Sequence, residues 1–193
     1  CWIPDFENSL LSGELSQSSL KKTFIGPLSR FKKTVGETNN YKYKFLAIIS
    51  GPEPQRSLLE EEIQNCFLKT NQHCAIINGL RKTKETSFEK ISFYPHLETT
   101  AFKKLITKSE LVICRSGYSS IMDLYVLQKK VLFIPTPGQT EQEYLAKYHQ
   151  KTNSIYYQKQ GRIDLKKASF NFIQSKSKTK KKLLEGAFNK VFL

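Results

Sequence analysis

The stretch from Leu111 to Glu143, LVICRSGYSSIMDLYVLQKKVLFIPTPGQTEQE, constrains this chain more than any other. Leu111 to Cys114 is a short apolar run that stops at Arg115-Ser116-Gly117. From Tyr118 to Gln128 apolar residues return at helical spacing, at Ile121, Leu124, Tyr125 and Leu127, and Val131 to Pro135 is apolar again. That order is a strand, a glycine turn, a helix and a second strand, which is one βαβ unit. A turn of this kind points the free N–H groups of the helix start, and the positive end of its dipole, over the edge of the sheet. Phosphate is the usual guest there, and Asp123 further along the helix is within reach of a ribose hydroxyl. The physical reading is a nucleotide diphosphate site.

The rest of the chain repeats the alternation. Thr23 to Gly26 reads as a short strand, and Tyr43 to Ser50 (YKFLAIIS) as a parallel strand covered on both faces. A helix from Ser57 to about Lys69 follows GPEPQR, then strands at Cys74 to Asn78 and Ile91 to Tyr94, and a helix from Thr99 to Ser109. After the central unit come a helix from Thr140 to Lys151, a strand from Ser154 to Tyr157, and two helices from Leu165 onward separated by a basic run. These spacings predict an α/β fold with a Rossmann-like, doubly wound parallel sheet. The 193 residues suit one core. The expected division is 1–21 as a connection to, or the tail of, a preceding domain, 22–160 as the Rossmann-like domain, and 161–193 as C-terminal helices. In such sheets ligands bind at the carboxyl ends of the strands, where strand order reverses. The unusual loops, 50–55, 95–97, 115–120 and 136–143, all fall at such ends.

The formal charge of +14, from 31 Lys and Arg against 17 Asp and Glu, raises nucleic acid as a partner. The basic residues are dispersed except for KSKTKKK at Lys176 to Lys182, and no zinc-finger, RNP or helix-turn-helix pattern accompanies them, so no nucleic acid is expected. The run adjoins an apolar series, Leu183, Leu184, Phe188, Val191 and Phe192, which suits an anionic membrane surface or is a solvated basic face. No apolar stretch reaches the roughly 18 residues of a membrane span, and CWIPDFENS has no signal-peptide pattern. Starting at Cys1 instead of Met, the chain reads as a piece of a longer protein. Cys1, Cys66, Cys74 and Cys114 show no CxxC spacing and read as reduced and structural; His73, His96 and His149 lack metal-ligand spacing, so no bound metal is expected.

CRSG, an acid six residues after the glycine at Asp123, the apolar strand VLFIP and then TEQEYLA together resemble a known family. They are similar to the C-terminal domain of GT-B glycosyltransferases of the family 28 type, which include the lipid-intermediate N-acetylglucosaminyltransferase of peptidoglycan synthesis. The likeness is strong over 111–146 and weaker over 22–160. It implies that Ser116, Gly117, Tyr118, Ser119 and Ser120 hold the diphosphate, that Arg115 belongs to the same nucleotide-sugar site, and that Asp123 accepts from the ribose where the family has Glu. Gln142 and Glu143 stand where the family has a Gln pair on the sugar, flanked by Gln139, Thr140 and Glu141. FIGPLSR resembles the glycine segment at the interdomain junction, with Arg30 on the arginine near the nucleotide, and Leu97 falls on the base-binding loop. SGPEPQR departs from the family, with two prolines and one glycine in place of a glycine-rich phosphate loop. Gly51 and Gln55 remain candidates there, and Glu53, Gln55 and Arg56 either face acceptor or sugar or are structural.

The resemblance therefore implies a nucleotide-sugar donor-binding domain of a metal-independent hexosyltransferase. A UDP-sugar is the expected donor, an N-acetylhexosamine the expected group, and no cofactor is expected. A lipid-linked acceptor, an anionic membrane surface and an N-terminal domain supplying the general base are the implied partners, on the cytoplasmic face of a membrane. Two alternatives stand beside it: a noncatalytic or two-subunit donor-binding component, and a basic module for nucleic acid or anionic surfaces.

Overall fold

A computed structural model describes residues 1–17, 19–32, 40–80, 84–152 and 155–168. Its strands are β1 (Trp2–Ile3), β2 (Thr23–Phe24), β3 (Tyr43–Ile48), β4 (Cys74–Ile77), β5 (Thr86–Phe88), β6 (Ile91–Tyr94), β7 (Ser109–Cys114), β8 (Lys130–Phe133) and β9 (Tyr156–Tyr157). The helices are α1 (Gln55–Leu68), α2 (Thr99–Thr107), α3 (Tyr118–Val126) and α4 (Thr140–Thr152), with a 3-10 turn at Gly13–Ser16. Strands β3 to β9 form one sheet in the order β5-β6-β4-β3-β7-β8-β9, parallel throughout except for the β5–β6 hairpin at one edge. The doubly wound parallel sheet is thus the observed architecture. The first strand of the sheet in sequence, β3, has β4 on one side and β7 on the other, so the strand order reverses between β3 and β7.

Alternating side chains of the central strands feed two apolar layers. Leu46, Val112, Cys114, Val131 and Phe133 pack with α2, α3 and α4 through Ile106, Ile121, Leu124 and Leu145. Phe45, Ala47, Leu111, Ile113 and Leu132 pack on the other face with Leu59, Ile63 and Phe67 of α1. Both faces being covered is why these strands read as near-continuous apolar runs.

Three elements differ from the sequence reading. β5 was not expected: Thr86, Ser87 and Phe88 are all exposed, so no buried period marks them, and they pair only because the chain turns at Glu89 with φ 54. Ser109, expected at the end of α2, is the first residue of β7; its hydroxyl donates to Leu105 O at 2.8 Å, which lets a polar side chain be buried there. α3 stops at Val126 because Gln128 takes a left-handed conformation, φ 51.

Residues 1–17 fold back onto α3 and α4. The buried Asp5 carboxylate accepts from the N–H groups of Phe6, Leu11 and Ser12 at 2.7, 3.0 and 2.8 Å, fixing a loop whose Leu11 enters the core. Tyr118 donates to Pro4 O at 2.8 Å, and His149 Nε2 lies 2.8 Å from Leu11 O. On the opposite face the Glu62 carboxylate accepts from Gly161 N and Ile163 N at 2.7 and 3.1 Å, and Leu165 and Ala168 pack beneath α1. Residues 165–168 form a helical turn. The expected basic run at Lys176 to Lys182 and the last helix lie outside the described residues.

Candidate functional site

Because β3, β6, β7 and β8 run parallel, their carboxyl ends lie along one edge, and the four loops singled out from the sequence leave from it. The loops after β3 and β7, carrying Gly51 and Arg115–Gly117, flank the point of strand reversal, where open α/β sheets take their ligands. Gly117 is the N-cap of α3 and, among the described residues, no side chain caps that helix start, so the N–H groups of Tyr118, Ser119 and Ser120 are presented at the mouth. Ser119 is exposed, while Gly117, Tyr118 and Ser120 are half-buried.

Arg115 has a different position from the one its motif suggests. It is only 2% exposed, and its guanidinium donates to Ser50 O at 3.3 Å, Gln55 O at 2.8 Å, Ile134 O at 3.1 Å and Pro135 O at 3.2 Å. It ties the ends of β3 and β8 and the start of α1 to β7 from below. Burial pulls its pKa down to about 10, yet it remains charged at neutral pH. Its positive charge therefore sits under the crevice while four of its five N–H donors are engaged by the protein. The Cβ position at Gly51, whose φ is 114, is 3.7 Å from Arg115 Nε and 3.6 Å from Thr136 Oγ1, so the glycine leaves a one-atom notch above both. Thr136 Oγ1 is buried with no hydrogen-bond partner among the described residues.

Asp123 is 7% exposed on α3. Its Oδ1 accepts from Ser29 Oγ at 2.7 Å and Arg30 N at 3.3 Å, and its Oδ2 from Arg30 Nε at 2.8 Å. The Arg30 guanidinium lies over the rings of Phe102 and Phe31, with centroid distances of 4.6 and 5.2 Å. The structure thus brings Arg30 and Asp123 together, and the acid anchors the segment after β2. Leu97 in the β6–α2 loop is half-buried against the same apolar layer as Phe31 and Phe102.

On the β8–α4 side, Ser116 donates its hydroxyl to Gln142 O at 2.7 Å. Gln142 Oε1 accepts from Thr136 N at 2.9 Å, and its amide nitrogen contacts Gln139 Oε1. Glu143 Oε1 accepts from Gly138 N at 3.2 Å, closing the turn onto its own helix start. Thr140 and Glu141 are exposed. In the β3 loop, Arg56 pairs with Glu53 at 3.3 Å and Glu60 at 3.4 Å, and Gln55 Oε1 accepts from Gln160 at 3.1 Å. These contacts tie the side chains of the β3 loop to the turn, to α1 and to Gln160. Sequence reasoning missed Ser29, Phe31 and Phe102, which join the site through contacts distant along the chain, and gave Thr136 no role beyond its place in the 136–143 loop. Among the described residues no group of three or more His, Cys, Asp or Glu is placed to hold a metal ion.

The glycosyltransferase family 28 C-terminal domain matches residues 46–185. A UDP-N-acetylglucosamine--N-acetylmuramyl-(pentapeptide) pyrophosphoryl-undecaprenol N-acetylglucosamine transferase of Sulfurihydrogenibium sp. (strain YO3AOP1) is 26% identical over 207 residues, covering 97% of this chain and 55% of that protein. One of the same name from Buchnera aphidicola subsp. Schizaphis graminum (strain Sg) is 26% identical over 151 residues, 72% of this chain and 40% of that protein. The chain spans about half the length of these relatives or less. Among solved structures, the glycotransferase of kitacinnamycin superposes with a TM-score of 0.57 at 12% identity over 86% of this chain and 46% of its own. MurG of Acinetobacter baumannii does so with a TM-score of 0.51 at 17% identity, over 68% of this chain and 41% of its own. These likenesses show the shared fold. With more than half of its residues inside the match, this chain belongs to the glycosyltransferase family 28 C-terminal domain family.

Proposed function

We propose that this chain is the donor-binding part of a glycosyltransferase that moves an N-acetylhexosaminyl group from a UDP-sugar to a lipid-linked acceptor. The observation that carries the reading is the uncapped start of α3 at the point of strand reversal, with a buried guanidinium beneath it. The names of the two curated relatives support the donor and the acceptor class.

When the bond from the anomeric carbon to the diphosphate breaks, negative charge gathers on the leaving UDP. The N–H groups of residues 118–120 and the α3 dipole, about half a positive charge, stabilise it, and Arg115 adds a fixed positive field without spending a donor on the ligand. The ribose meets Asp123, the base lies by Leu97, and the sugar lies toward Gln142 and Glu143. No step needs a bound metal in this scheme. The general base that activates the acceptor hydroxyl comes from the part of the whole protein outside this chain. A peripheral position on the cytoplasmic face of a membrane fits a lipid-linked acceptor; among the described residues no helix is long and apolar enough to cross one.

Calorimetry with UDP, UDP-N-acetylglucosamine, and GDP- and TDP-sugars tests the proposal, on this chain and on the whole protein. Heat with UDP and UDP-N-acetylglucosamine and little with the others is expected. A folded sample that gives no heat with any of them would overturn it.

A further inference from the structure

We propose that Asp123 binds one ribose hydroxyl of the donor and not two, and that Ser29 sets this limit. The inference rests on the donor-site reading above and concerns how much of the carboxylate is left for a ligand. A carboxylate oxygen offers about two lone-pair sites, four for the group. On Oδ1 both are taken, by Ser29 Oγ at 2.7 Å and Arg30 N at 3.3 Å. On Oδ2 one is taken, by Arg30 Nε at 2.8 Å. Among the described residues that leaves room for one further donor, on Oδ2. The side chain is 11% exposed, in keeping with a single ligand atom reaching it.

The donors already present are held in place by contacts of their own. Ser29 Oγ accepts from Phe31 N at 3.0 Å, so its one proton is aimed at Asp123. Arg30 is seated over the rings of Phe102 and Phe31, which stack on each other with centroids 6.2 Å apart. Arg30 N is backbone. A ribose with two adjacent hydroxyls therefore finds one acceptor site, and the second hydroxyl gains nothing from this acid. The protein should accept a donor lacking one particular hydroxyl, and the residue that decides this is a serine distant in sequence from the acid.

The experiment compares UDP, 2′-deoxy-UDP and 3′-deoxy-UDP by calorimetry on wild type and Ser29→Ala, with thermal unfolding of both to show that they are folded. In wild type one deoxy compound binds about tenfold or more weaker than UDP, the loss of one hydrogen bond to a charged acceptor, while the other stays within about twofold. In Ser29→Ala, which vacates a site on Oδ1, both deoxy compounds lose affinity relative to UDP. Equal loss for both in wild type, loss for neither, or an unchanged pattern in Ser29→Ala overturns the inference while leaving UDP binding intact. Failure of UDP itself to bind refutes the donor site and this inference with it.

Discussion

Replacing Arg115 with Met removes the fork that gathers three strand and helix ends while keeping the volume of an unbranched side chain. Of its four carbonyl partners, Ile134 O and Pro135 O lie in buried surroundings and Ser50 O and Gln55 O are partly exposed. The two outer carbonyls can turn to water when the guanidinium is gone. The two inner ones lose a charged donor, at about 1 to 3 kcal/mol each. Part of that is returned, because Met no longer holds a charge whose burial depresses its pKa. The net destabilisation is about 2 to 4 kcal/mol, which for a chain of this size lowers Tm by roughly 5 to 15 °C. Arg115→Lys keeps the charge but replaces a planar fork by a point donor, so it recovers less than half of the loss. Thermal unfolding of the three proteins, with UDP calorimetry below the lowest Tm, separates two roles for this residue. The bracket role predicts a large fall in Tm and a modest loss of affinity as the Ser50 and Gln55 ends loosen. A Met variant that melts like wild type yet no longer binds UDP would show that Arg115 touches phosphate directly, and the bracket argument would be wrong.

Alkaline pH supplies a second test, through the buried thiols. Burial pushes Cys74 up to about 11 and Cys114 up to about 12 from an ordinary value of 9.0, so the folded protein keeps protons that the unfolded chain releases. The thiol contribution to stability is level below about pH 9 and falls as pH rises through the folded values, by up to about 1.4 kcal/mol per pH unit for each thiol. Urea midpoints at pH 8, 9 and 10 should decline after pH 9, and Cys114→Ala should flatten part of that decline; midpoints that do not move across this range contradict it. The tail gives a third. The whole protein should sediment with vesicles containing anionic lipid, be released by about 0.5 M salt, and bind less when Lys176, Lys178, Lys180, Lys181 and Lys182 are changed to Gln, with nucleotide-sugar affinity unchanged. Equal sedimentation of the Gln variant assigns the run to solvent.

The sheet was legible in the sequence because its central strands are buried on both faces, and a run such as Phe45 to Ile49 has little alternative. The edge of the sheet was not: β5 is fully exposed, and its pairing follows from a turn at Glu89 that no apolar period announces. The same distinction divides the site. Gly117 and the serines after it are recognisable because a phosphate-binding turn needs a strand, a glycine and a helix in succession, all local. Arg115 sits in the same motif, but its direction depends on carbonyls in β3, β8 and α1, and local sequence contains none of that. Ser29 lies inside the FIGPLSR segment, but nothing local marks it as the partner of Asp123, a residue distant along the chain.

The Gln142 and Glu143 side chains already hold backbone and side-chain groups of the β8–α4 turn, and on the proposed reading this shapes how a donor can bind. Gln142 bridges Thr136 N and Gln139, and Glu143 holds Gly138 N. A sugar hydroxyl that takes the place of Thr136 N on Gln142 Oε1 or of Gly138 N on Glu143 Oε1 exchanges one contact for another, so its net gain is the difference between two hydrogen bonds. The start of α3 differs, because no side chain among the described residues caps its N–H groups, so a diphosphate placed there as proposed meets donors that no described side chain occupies. On the proposed donor-site reading, the nucleotide diphosphate therefore supplies most of the affinity and the sugar supplies selectivity through the β8–α4 turn. In a site arranged this way UDP binds nearly as tightly as the UDP-sugar, and changes at Gln142 or Glu143 alter which sugar is taken more than how tightly UDP is held.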